Sequence, residues 1–272
     1  MRIRIGHTTT YVYDTPPTGV TQMLRLTPRN HDGQYTLDWR IDLSRDCQLH
    51  QHEDAFGNIT HSFTAEGPFN ELTINVEGEV DTVDTDGVVS GTLERFPPSL
   101  FLRETPLTQP DSGIADFAEA IRTDTPAEPL TLLHTLLREL KDTMALDPAE
   151  AAANTAEAFT YHRGDDRDMA HVFIAAARYL GIPARYVSGH CYCGNGIAQE
   201  ACHAWAEAHV DTLGWIGFDP ANGICVTDAY VRVAVGLDYL GAAPVRGQRF
   251  GGNSETEKTT VRVAQAGQQS QN

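Results

Sequence analysis

Between Arg163-Gly164 and Gly181-Ile182-Pro183 the chain has room for one helix and little freedom to form anything else. Met169, Val172, Phe173, Ala176 and Leu180 recur at i, i+3 and i+4 spacing, which gathers them on one helical face. Asp165-Asp166 opens that helix, and Gly181 and Pro183 stop it. Three short β-patterned runs follow: Ala184 to His190, His203 to Val210, and Trp215 to Phe218, the last ending in Asp219-Pro220. Cys191 to Cys202 connects the first two.

The first hundred residues have a different character. Arg2 to Ile5, Thr9 to Tyr13, Gln22 to Leu26, Thr36 to Leu43, Asn58 to Phe63 and Glu71 to Val80 alternate or are β-branched, and Gly, Pro, Asn and Asp punctuate them. They predict an antiparallel β domain. Pro97-Pro98, Pro106 and Pro110 mark a linker of extended backbone. Beyond it the chain turns rich in Ala, Leu and Glu, with helical spacing at Leu130, Leu133, Leu137 and Leu140. The fold class expected is α+β, divided into a β-rich domain over 1–105 and a second domain over 106–272. Thr259 to Val263 is the one strand-like run in the polar tail.

Charge and cysteine usage narrow the partners. Lys and Arg number 20 against 37 Asp and Glu, a net charge of −17, with no basic stripe to offset it. Such a surface repels phosphate backbones and anionic membranes alike, so neither nucleic acid nor membrane is an expected partner. The most apolar stretch, His171 to Val187, is interrupted by Arg178, Pro183 and Arg185. The opening MRIRIGHTTTYVYD alternates like a strand and lacks the apolar centre of a signal peptide, so the default expectation is a cytoplasmic protein. Of five cysteines, Cys191, Cys193 and Cys202 cluster beside His190 and His203, which in a reducing compartment suggests metal or reactive thiols before disulfides.

The stretches RGDDRDMAHVFIAAARYLGIPARYVSGH, HAWAEAHV and GWIGFDPANG together resemble the core of the bacterial transglutaminase-like family, a branch of the papain-like cysteine enzymes. LRLTPRN and DAFGN resemble the β-rich domain that precedes this core in many members. The resemblance implies thiol-based acyl transfer on amide or peptide substrates. A Cys at the start of the core helix attacks the carbonyl, a His on the adjacent strand moves the proton, and an Asp orients that His. Carried over residue by residue, His203 in HAW matches the histidine and Asp219 in GFDP the aspartate. The nucleophile position, two residues after Gly164, holds Asp166.

A carboxylate in that place is a poor nucleophile toward an amide, and three readings compete. In the first, Asp166, His203 and Asp219 form the catalytic pocket. A divalent transition metal, Zn or Fe, held by Asp166, His190, His203 and Cys193, then replaces the thiol and acts on an amide- or amine-containing substrate. This reading needs the strands of His190 and His203 to pair so that both rings approach one point. In the second, the chain is a binding or scaffold module that keeps the groove without the chemistry. In the third, Cys191 or Cys193 presents a relocated thiol to His203. Cys202 is disfavoured there because neighbours on a strand face opposite ways.

Plainer roles are expected for the remaining residues. His171, about 140° around the helix from Asp166, reads as a buried histidine, and His209 lies roughly 20 Å along the strand from His203. His50, His52 and His61 read as surface residues. Trp205 and Trp215 read as core or groove wall, Cys47 and Cys225 as small buried hydrophobes, and Asp165 and Asp168 as a solvated helix start.

Overall fold

A computed structural model describes residues 1–148, 152, 154–192 and 201–266. β1 (Arg2–Tyr13) is a single strand running through Gly6, and its alternate side chains from Ile3 to Tyr13 are buried. It is followed by β2 (Gly19–Thr27), β3 (Gln34–Leu43), β4 (His50–Glu53), β5 (Ile59–Glu66), β6 (Glu71–Thr82) and the two-residue β7 (Val88–Val89). Tyr11, Leu72 and Ile74 from one sheet and Val20, Leu24 and Phe63 from the other share one apolar core, so the two sheets pack face to face.

The second half begins with α1 (Ser112–Asp124), α2 (Pro129–Thr143), β8 (Ala145–Leu146), α3 (Thr155–Tyr161) and β9 (Arg163–Gly164). Next come the core helix α4 (Asp166–Tyr179) and the strands β10 (Ala184–Cys191), β11 (His203–Val210), β12 (Gly214–Asp219), β13 (Ile224–Cys225) and β14 (Tyr230–Gly236). The antiparallel order β13-β12-β11-β10-β14, with β7 on β12, is the sheet that α4 covers. Met169, Val172, Phe173 and Ala176 pack there against Ala204, Ala206, Ala208 and Phe218. The small side chains along β11 let the helix approach closely, and α1 to α3 bury its other sides.

The chain end departs from the expected division. After the short α5 (Tyr239–Ala242), β15 (Val245–Phe250) pairs with β2 and β16 (Glu255–Gln265) pairs with β1. Residues 245–265 therefore complete the two N-terminal sheets instead of extending the second domain. The physical reason is edge satisfaction: β1 and β2 would otherwise each expose a row of unpaired backbone groups. The proline-marked linker also differs from extended backbone. It includes a 3₁₀ turn over Pro98–Leu102, with Phe101 buried against Trp215 at a ring separation of 5.0 Å.

Side chains stitch the halves together. Gln34 bonds to both backbone groups of Arg232, and Asn58 to both of Val235. Behind them, the fully buried Glu207 accepts from Arg185 at 2.6 Å and from Arg232 at 2.7 Å. Burial opposes the Glu207 anion, but the two guanidinium groups hold its carboxyl down at about 2. Among the described residues, no helix is long and apolar enough to cross a membrane.

Candidate active site

The N-terminus of α4 is built before it meets anything else. Asp165 is its cap, accepting from the Asp168 amide at 2.9 Å, while Asp168 accepts from the Asp165 amide at 3.1 Å. Arg167 adds a bond to Asp165 at 2.7 Å. Both aspartates are 7% exposed, so the expected solvated helix start is instead a buried capping box. Burial pushes the Asp168 carboxyl up to about 6. Gly164 is required beside it, because a Cβ there would lie 2.6 Å from the Asp168 Cβ.

With capping assigned to its neighbours, the Asp166 carboxylate is free to face β11. It accepts from the Ala204 amide at 2.9 Å, and the same oxygen lies 2.9 Å from His203 Nδ1. The other imidazole nitrogen, Nε2, lies 2.6 Å from Asp219 Oδ2. Asp219 is fully buried at the end of β12. It also accepts from the Asn222 amide at 3.1 Å, the Asn222 side chain at 2.7 Å and the Tyr230 hydroxyl at 2.7 Å. The rings of Trp205 and Tyr230 flank His203 at 6.1 and 5.9 Å.

The electrostatics follow from this geometry. Burial disfavours the His203 imidazolium, but the bonds to Asp166 and Asp219, together with their charges, raise its pKa to about 10. Burial likewise opposes the Asp219 anion, and the bonds from His203, Tyr230 and Asn222 outweigh it, leaving that carboxyl below its ordinary range. A ring that donates from both nitrogens has no lone pair to offer. At neutral pH it can donate hydrogen bonds or a proton, but it cannot accept one.

Asp166, His203 and Asp219 are thus in contact, whereas among the described residues His190, expected as a further metal ligand, does not join them. β10 and β11 do pair, with Gly189 opposite His203. Because side chains alternate along a strand, His190 then falls on the other face, next to Cys202. His190 packs against His7 of β1, their ring centroids 6.1 Å apart. Cys193 lies outside the described residues. Of the thiols considered as relocated nucleophiles, Cys191 is buried among Val187, Trp205 and Tyr230. Cys202 turns away from His203 and places its Sγ 3.4 Å from His7 Nδ1. His171 is buried and its Nε2 accepts from the Tyr239 amide. His61, Cys47 and Cys225 are half-buried, and His50 and His52 are exposed.

Asn222 and Tyr230 are parts of the site that sequence reasoning missed. Asn222 had a local signal, since Asp219-Pro220-Ala221-Asn222 is a turn in which the first side chain accepts from the third residue on. Tyr230 had none: it reaches Asp219 only because β14 pairs with β10.

A helix packed on an antiparallel sheet, with its first turn facing a strand-borne His backed by Asp, defines a papain-like α+β core of the transglutaminase type. The chain belongs to the bacterial transglutaminase-like family. Residues 3–81 match the bacterial transglutaminase-like N-terminal region, and residues 115–220 match the transglutaminase-like superfamily. An uncharacterised protein of Mycobacterium leprae is 28% identical over 278 residues, spanning 96% of this chain and 97% of its own. One of Mycobacterium tuberculosis is 28% identical over 291 residues, spanning 96% and 91%. A solved structure from Cytophaga hutchinsonii, described as a candidate cysteine protease, superposes with a TM-score of 0.76 at 19% identity. It covers 99% of this chain and 92% of its own, a likeness of fold.

Proposed function

We propose that this chain is a transglutaminase-like binding module. In this reading it holds a small amide- or peptide-type group and forms no acyl-enzyme where the family resemblance places a cysteine. The observation that carries the proposal is the double engagement of His203, whose two ring nitrogens face the carboxylates of Asp166 and Asp219 at 2.9 and 2.6 Å. Thiol-type acyl transfer needs a nucleophile and an adjacent base with a free lone pair. Here the nucleophile position carries a carboxyl group in place of a thiol, and both ring nitrogens are engaged. A metal on Asp166 and His203 would have to strip the ring of a proton and pull it from a carboxylate, so metal-assisted chemistry at this pocket is the second reading.

A cavity of about 170 Å³, lined by Arg167 and Cys202, the chain neighbours of Asp166 and His203, supports a binding role. It lies where the core meets β1 and β16, and its walls include Arg167, Tyr186, Ser188, Tyr239, Glu257 and Thr259. A cation, an anion and several hydroxyls around a small volume suit a dipolar group such as a carboxamide better than an extended apolar chain.

The test combines turnover with binding. Wild-type protein, His203→Ala and Asp166→Cys are incubated with glutamine- and asparagine-containing peptide amides plus a primary amine, with mass spectrometry for products and adducts. Peptide binding is followed by NMR. The expected result is binding by the wild type with no turnover above that of His203→Ala, and an alkylatable thiol at position 166 in Asp166→Cys. Wild-type turnover that disappears in His203→Ala would overturn the proposal.

A further inference from the structure

On the face of the β10–β11 hairpin turned away from His203, three side chains from distant parts of the sequence meet. His7 comes from β1, His190 from the end of β10, and Cys202 from the residue before β11. One potential ligand atom from each lies within 4.8 Å of the others. His7 and His190 are 2% and 1% exposed. Two imidazoles and a thiol brought together in a core need an explanation, because burying polar groups costs free energy unless they are engaged.

The hydrogen bonds account for only part of this. His7 Nε2 is 2.9 Å from Thr9 Oγ1, whose own oxygen is 2.9 Å from Thr259 Oγ1. If Nε2 carries the proton and donates to Thr9, Nδ1 keeps a lone pair directed at Cys202 Sγ, 3.4 Å away. His190 Nδ1 is buried with no hydrogen-bond partner among the described residues.

We infer that His7, His190 and Cys202 form a binding site for a divalent transition metal of the zinc class. Imidazole nitrogen and thiolate sulfur are the donors such ions prefer. With Zn–S near 2.3 Å and Zn–N near 2.0 Å, a tetrahedral S···N edge is about 3.5 Å, and the Cys202–His7 separation matches it. The Thr9 bond to the remote nitrogen of His7 is the kind of outer contact that fixes a ligating ring's tautomer and orientation. His7 and Cys202 also line the cavity of about 170 Å³ described above, which provides an entry path and leaves room for a fourth ligand from solvent or substrate. The site shares no residue with Asp166, His203 and Asp219, and it would tie the N-terminal sheet to the core.

The experiment uses the full chain without an affinity tag, reduced and stripped of metal, titrated with Co²⁺ and then Zn²⁺. The expected result is one equivalent of Co²⁺ with a near-ultraviolet thiolate-to-cobalt band that Zn²⁺ abolishes. Cys202→Ser should lose the band, and both it and His7→Gln should weaken binding by at least about tenfold, while Cys225→Ser should bind as the wild type does. A readout that needs no variant is protection. Zn²⁺ should slow iodoacetamide labelling of Cys202 in the native protein and leave Cys47 and Cys225 unaffected. Wild-type protein that binds neither ion at micromolar concentration, Cys202→Ser that keeps wild-type affinity, or Cys202 labelling indifferent to Zn²⁺ would each overturn the inference.

Discussion

The Nδ1 of His203 lies 2.9 Å from the carboxylate of Asp166, although the two residues are 37 positions apart and on different elements. The same Asp166 oxygen takes the Ala204 amide, so the helix start is tied to both the backbone and the side chain of β11. With Asp219 on the other nitrogen, the ring is held at both ends.

This clamp should appear in the pH dependence of stability. The folded His203 pKa near 10 lies above the ordinary value of 6.5. Its contribution is therefore fully present below about pH 6.5 and is lost as pH rises through about 10. Urea unfolding between pH 7 and 10.5 should show a loss on the order of a few kcal/mol that is much reduced in His203→Gln. An NMR titration that places the wild-type ring near 6.5 would contradict the clamp.

Acid should destabilise the protein through a separate set of groups. Burial lowers the pKa of His7 and His171 to about 4 and that of His190 to about 3. Between pH 6.5 and 4 the unfolded chain takes up protons that the folded one refuses, so stability falls with pH. Each ring should account for about 2 kcal/mol of loss at pH 5, measured against pH 7.5 by urea titration. Stability that is flat over that interval would show that these rings are not buried neutral.

Glu207 is the centre of a buried ion cluster, with Arg185 and Arg232 both within 2.7 Å. Glu207→Ala takes the shared carboxylate from Arg232 and from Arg185, whose side chain is 2% exposed and which keeps Glu94 at 2.8 Å. The expected cost is about 3 kcal/mol, read as a fall in urea midpoint, the low end for a broken buried pair because Glu94 still faces Arg185. A change below about 1 kcal/mol would mean that water reaches the cluster.

Gly189 faces His203 across the hairpin and has no room for a side chain. A Cβ there would stand 2.2 Å from the Val231 carbonyl oxygen and 2.5 Å from the Trp205 ring. Gly189→Ala should cost at least about 2 kcal/mol and perturb the His203 resonances, because Trp205 packs beside that ring. Unchanged stability and an unchanged His203 spectrum would contradict this packing.

Much of the fold is legible in local patterns. The i, i+3, i+4 spacing of Met169, Val172, Phe173 and Ala176 marks α4, and Gly181 and Pro183 its end. His203–Val210 is a strand within the limits its alternation predicts. The motifs around Asp166, His203 and Asp219 name three side chains that do meet. What was misread shares one cause. Strand runs carry no address, so nothing in Thr259 to Val263 says that it pairs with β1, and nothing in His7 says that it faces His190.

The sequence by itself therefore determined the elements, their order and the identity of the groups at the pocket. These rest on periodicity, caps and short motifs, which act over a few residues. Tertiary structure alone decided which groups share a face. A one-residue step at the start of β11 sends His203 to the two carboxylates and Cys202 to His7 and His190, because side chains alternate and the register with β10 is set by pairing across the whole sheet. The chemistry available at each face was settled there, by long-range strand pairing that no local pattern encodes.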